Sequence, residues 1–135
     1  MTRPTRCLVA TCANVALLTG VLVAAAAPAE ASGGGPRVEK RGPCTKSAVW
    51  KVKAKGDDSR IEVEGEVDSN RNGQVWSWKI RHNGSVSAKG QSTTKAPSGS
   101  FSVERRMVDL TGPDSFVFRA VNVNTGEVCR GSVTL

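Results

Sequence analysis

In the stretch DSNRNG, residues 68 to 73, three oxygen-bearing side chains, Asp68, Asn70 and Asn72, fall at alternate positions before a glycine. Calcium loops begin this way, with oxygens at every second residue closing around the ion. An EF-hand starting at Asp68 would need a bidentate Glu at its twelfth residue, where Lys79 stands. The EF-hand reading fails there. Asn-Gly is a strong turn signal, so a turn between strands is the expectation. The alternative left open is a weak calcium site made by Asp68, Asn70, Asn72 and backbone carbonyls at extracellular millimolar calcium. Apart from it, no metal site and no cofactor are expected.

Glu62, Glu64 and Glu66 alternate on one strand, about 7 Å between neighbours, close to the spacing of glycosidase carboxylates. Such carboxylates come from different elements around a cleft, and one must be desolvated to act as the acid. Here Lys51 and Lys53 are expected opposite, so a solvated, charge-paired face is preferred. His82 is the only histidine, and beside Asn83 and Gly84 it reads as an exposed turn residue without the orienting carboxylate or nucleophile that a triad needs. No catalytic residue is assigned and no enzyme is expected.

The N-terminus bears Arg3 and Arg6, an alanine-rich apolar run from residue 7 to residue 27, and the small-residue site Ala29-Glu30-Ala31. This is the plan of a secretory signal peptide, residues 1–31, cleaved after Ala31, which leaves no membrane span and places the protein outside the cell. Cleavage removes Cys7 and Cys12, and the remaining pair, Cys44 and Cys129, is expected to form a disulfide. Loss of Arg3, Arg6 and Glu30 lowers the formal net charge from +7 to +6. A basic balance favours polyanionic surroundings. The expected partner is an extracellular protein or a polyanionic cell-wall polymer; no specific nucleic acid is implied, and oligomeric state is not legible.

Residues 32–43, SGGGPRVEKRGP, have no apolar period and read as a flexible leader. From Cys44 onward apolar residues recur with period two and no helical spacing occurs, so residues 44–135 read as an all-β domain. Three hairpins are expected. The first turns at residues 56 to 59 and sets Val52 opposite Val63, Trp50 opposite Gly65, Lys53 opposite Glu62 and Lys51 opposite Glu64. The second turns through His82-Asn83-Gly84 with a bulge and pairs Ile80 with Val86, Trp78 with Ala88 and Trp76 with Gly90. A two-residue loop is rejected because it would set Trp78 against Lys89. After a crossover over residues 91 to 98 comes a strand with Phe101 and Val103 inward. The last hairpin, joined at Thr125-Gly126, pairs Phe118 with Val133, Ala120 with Gly131 and Asn122 with Cys129. The order hairpin, hairpin, crossover strand, hairpin is that of a seven-stranded immunoglobulin-like antiparallel sandwich.

Trp50, Trp76 and Trp78 share the apolar phase of their strands, so core packing is preferred to a sugar-stacking platform. If Phe116, Phe118 and Ala120 point inward, Val117, Arg119, Val121, Val123, Val128 and Arg130 point outward, joined by Val75, Lys79 and Arg81 if their strand neighbours this hairpin. An aliphatic patch rimmed by cations is a candidate binding face, against the plain reading that valine favours strands and is often exposed singly.

The signal peptide together with GDDSRIEVEGEVDSNRNGQVWSW, APSGSFSVERR and NTGEVCRGS resembles a group of short secreted actinobacterial proteins, over residues 44 to 135. The group has no assigned activity. The resemblance implies secretion and the sandwich fold, and it assigns no functional residue. The expected function is binding by a secreted, non-enzymatic sandwich. Its rivals are a carbohydrate-binding module, which requires exposed tryptophans, and an inhibitor of extracellular enzymes, which requires a rigid exposed loop such as residues 91 to 98.

Overall fold

The structure, a computed structural model, describes residues 34 to 135; residues 1 to 33, which include the expected signal peptide, lie outside the described residues. Eight strands follow one another: β1 (Arg37–Pro43), β2 (Val49–Asp57), β3 (Arg60–Asp68), β4 (Val75–His82), β5 (Ser85–Thr93), β6 (Ser100–Val108), β7 (Ser115–Asn122) and β8 (Val128–Thr134). They form two four-stranded antiparallel sheets, ordered β1-β2-β3-β6 and β5-β4-β7-β8. Without β1, the chain keeps the immunoglobulin-like arrangement in which two hairpins sit in different sheets and β6 returns to the first. The two inner faces meet in a core of Val52, Val63, Val67, Ile61, Trp76, Trp78, Ile80, Phe116, Phe118 and Val133.

The eighth strand corrects the reading of residues 32–43 as a flexible leader. Residues 37 to 43 run antiparallel along β2 from Arg37↔Lys55 to Pro43↔Val49. Only Val38 packs against the core, and Gly42 leaves room for the Trp50 ring, whose Cζ2 would lie 2.7 Å from a Cβ there. Charge, glycine and proline are what protect an edge strand from unwanted pairing. The same composition makes such a strand resemble a linker, because its pairing uses backbone groups that any residue supplies.

All three hairpins have different registers from those expected, and in each the turn is the reason. The first turn lies at Asp58-Ser59, both with positive φ (44° and 64°), so Asp57 pairs with Arg60. Val52 therefore faces Gly65, Trp50 faces Val67 and Lys53 faces Glu64. In the second, Asn83 and Gly84 (φ 46° and 87°) form the two-residue loop that was rejected, as the primed turns of tight hairpins do. A bulge between Ile80 and Arg81 then advances the pairing, so Trp78 meets Gly90 and Ile80 meets Ala88. In the third, the Asn122 amide donates to the Glu127 carbonyl, and the Asn122 side-chain oxygen accepts the amides of Asn124 and Thr125. The loop is two residues longer than expected, giving Phe118↔Gly131 and Ala120↔Cys129.

Aromatic rings still cover glycines, with different partners. A Cβ at Gly65 would lie 2.4 Å from Phe118, and one at Gly131 would lie 2.2 Å from Trp50. Trp76 and Trp78 are buried, and Trp50 is partly buried with its Nε1 donating to the Pro43 carbonyl.

The expected disulfide joins Cys44, in the β1–β2 connection, to Cys129 on β8. It ties the two sheets at one side of the sandwich, where Thr45 and Val128 also exchange hydrogen bonds and the buried Glu127 carboxylate accepts the amides of Lys46 and Ala48. At a sequence separation of 85 residues, the chain-entropy model credits such a bridge with about 4.5 kcal/mol. A stable disulfide belongs to a compartment that is not kept reducing.

Candidate functional site

The nine residues of the expected binding face are brought together, because β4 does neighbour β7. Outward positions of the four strands align in rows. Gln91, Ser77, Val121 and Val128 form one; Val86, Arg81, Val117 and Ser132 form another; Val75 and Val123 continue the face at its end, joined by the bond from the Val123 amide to the Val75 carbonyl. Between the first two runs Lys89↔Lys79↔Arg119↔Arg130, one cation from each strand of the sheet. All four are exposed, as is Arg81, while Val117, Val121 and Val128 are half-buried beside them. Lys79, Arg81, Val117, Arg119 and Arg130 line a shallow depression of about 210 Å³.

This arrangement refines the expected patch, whose cations were placed at the rim of a valine surface. They are instead a continuous row with valines on both sides. Lys89 was missing from the expected face, and the registers explain why. The expected hairpins set Lys79 opposite Ser87 and Arg119 opposite Ser132, which scatters the cations. Moving each hairpin by two residues changes no side chain's face but lines the cations up.

The electrostatics of the row are unrelieved within the sheet. None of β4, β5, β7 and β8 contains an Asp or Glu. Among the described residues, no ion pair involves Lys79, Arg81, Lys89, Arg119 or Arg130; Arg81 donates only to the Gly84 carbonyl. Like charges directly opposite one another on a sheet are destabilising.

The other chemistry-bearing residues are placed elsewhere. On β3, Glu64 pairs with Lys53 and approaches Lys51 at 3.8 Å, and Glu66 pairs with Lys51 at 2.6 Å. The hydrogen bond from Lys51 to Glu66 raises the lysine's pKa against the opposing effect of burial. Glu64 and Glu66 are thus charge-paired with lysines, as expected, and Glu62 stands opposite Lys55, in a register two residues from the expected one.

His82 departs from the exposed turn position assigned to it. Its ring is largely buried, stacks on Phe116 at 4.5 Å between centroids and donates from Nε2 to Asp114 Oδ1. Asp114 also accepts from the Asn83 side chain and the Leu110 amide. Burial alone would push the Asp114 carboxyl upward, but the His82 hydrogen bond, the Leu110 amide and the His82 charge together hold it below its usual value. No sequence signal linked residues 32 positions apart; the pairing arises because β4 ends beside the start of β7. The couple fastens the β6–β7 connection to β4, and no hydroxyl or thiol among the described residues is bonded to it.

In the 68 to 73 segment, Asp68 Oδ1 accepts the Asn70 amide at 3.0 Å, and Asn70 and Gly73 have positive φ (56° and 78°). This is an Asx-type turn. Ser69 donates to the Gly99 carbonyl, and the Gly73 amide donates to the Thr94 carbonyl, so the turn is fastened to the crossover. The crossover is shorter than expected: Gln91 to Thr93 belong to β5 and Thr94 is buried.

No family model, no curated protein and no solved structure matches the chain.

Proposed function

We propose that this protein is secreted, has no catalytic activity and acts by binding an extracellular partner through the outer face of the β5-β4-β7-β8 sheet. The observation that carries the reading is the row of four adjacent, unpaired cations on a sheet without an acidic residue. A fold bearing such a row spends stability on it, and an external anion recovers that cost. The Cys44–Cys129 disulfide supports an oxidising location. The burial of Trp76 and Trp78 argues against a sugar-stacking surface.

The test is retention of the purified protein on immobilised cell-wall material and culture-supernatant proteins, comparing wild type with Arg119→Glu and, on the opposite face, Glu64→Gln. Retention lost in Arg119→Glu and kept in Glu64→Gln is the expected result. Equal retention of all three, or none by the wild type, overturns the reading.

A further inference from the structure

The cationic row has a direction and a repeat, and both restrict what fits it. It runs perpendicular to the strands, one charge per strand, so successive cations stand about 4.8 Å apart and the row spans about 14 Å. A compact anion would satisfy two neighbours and leave the others repelling one another. A linear polymer with one negative group per monomer of similar length would place an anion on each strand. Arginine at two of the four positions offers planar forks suited to carboxylates. Val121 and Val128 flank the row on one side and Val117 on the other, providing apolar surface for the C–H faces of sugar rings. Single-stranded nucleic acid has the charge but needs aromatic platforms for its bases. The aromatic residues of these strands, Trp76, Trp78, Phe116 and Phe118, are all buried.

Resting on the reading of this face as the binding surface, we infer that its ligand is an extended acidic polysaccharide carrying one carboxylate per sugar, laid across the four strands along Lys89, Lys79, Arg119 and Arg130. The charges of the row and polymer pair one to one, and salt weakens the complex by screening them.

The experiment measures binding of the purified protein to oligogalacturonates of two to eight sugars by calorimetry at low and high salt. The same polymer with methyl-esterified carboxylates, a thymidine oligonucleotide of equal charge and vesicles of anionic lipid serve as competing probes. Affinity is expected to climb steeply up to about four sugars, the number that the strand spacing accommodates, and then level off. Arg119→Gln and Lys89→Gln should each weaken binding about tenfold, the effect of losing one charged contact, while Glu64→Gln should leave it unchanged. Thermal melts of the variants establish that they are folded. Equal binding of the esterified polymer, insensitivity to Arg119→Gln, or tighter binding of the oligonucleotide or the vesicles overturns the inference. If Arg119→Glu abolishes retention on extracellular material but no oligogalacturonate binds, the polysaccharide assignment fails while the binding face stands.

Discussion

On the outer face of the β1-β2-β3-β6 sheet, Lys51, Lys53 and Lys55 of β2 meet Glu66, Glu64 and Glu62 of β3, whereas across β5-β4-β7-β8 the cations Lys89, Lys79, Arg119 and Arg130 meet only one another. The two faces share a core, a strand length and a pleat, so backbone structure does not separate them. Placement of charge does. On the first face the β2–β3 ladder is charge-paired by its own residues, which contributes to holding the two strands together. The second presents its cations without an acidic residue on any of its four strands. One face of this sandwich carries charge pairs between its central strands, and the other carries a row of like charges that costs stability and that the proposed anionic partner would offset.

The coarsest way to abolish the difference is to separate the sheets on which it rests. A Cβ at Gly131 would lie 2.2 Å from the Trp50 ring, which belongs to the opposite sheet. Gly131→Val should therefore lower stability by about 3 kcal/mol, read as a fall in the urea midpoint with little change in slope. A slope that falls with it would mean that the two sheets no longer unfold together.

Of similar size is the Asp114 tie, which fastens the connection between the two sheets. Because its folded pKa lies below the unfolded value, its contribution is present above about pH 4 and is lost as pH falls through the folded value. Asp114→Asn should cost about 3 kcal/mol near neutral pH and flatten the decline of stability in acid. Chemical denaturation at a series of pH values measures both effects. An unchanged acid limb would show that other carboxylates govern it.

Two smaller substitutions address the faces directly and should have opposite signs. Glu64→Gln leaves Lys53 unpaired and weakens the neutralisation of Lys51, costing about 1 kcal/mol. Arg119→Gln interrupts the cation row between Lys79 and Arg130 and should raise stability by about 0.3 kcal/mol. Both effects should shrink in 1 M salt, where screening leaves little of either the attraction or the repulsion. Thermal melts at low and high salt give the comparison, and substitutions of the same sign would remove the contrast between the faces.

The elements and the sides on which their residues fall were legible in the chain. Alternation from Ala48 to Val133 identified the strands between residues 48 and 134 and separated Phe116 and Phe118 from Arg119 and Val121, and the two cysteines of the predicted mature chain pointed to their bridge. β1 was not legible, because an edge strand needs only one apolar contact, Val38, and pairs through its backbone. His82 and Asp114 were not linked either, since nothing local in the chain signals a contact between strands brought together by the sandwich.

The candidate site shows the limit most directly. The sequence by itself determined that Lys79, Arg119 and Arg130 face outward, because a period of two assigns every residue to a side. It did not determine which of them are neighbours, because a strand can slide by two residues without moving any side chain to the other face. The backbone conformation of Asp58 and Ser59, the bulge after Ile80 and the hydrogen bonds of Asn122 set the slide in the three hairpins. The row from Lys89 to Arg130 is therefore a property of the folded sheet, created where two hairpin registers and the β4–β7 pairing coincide.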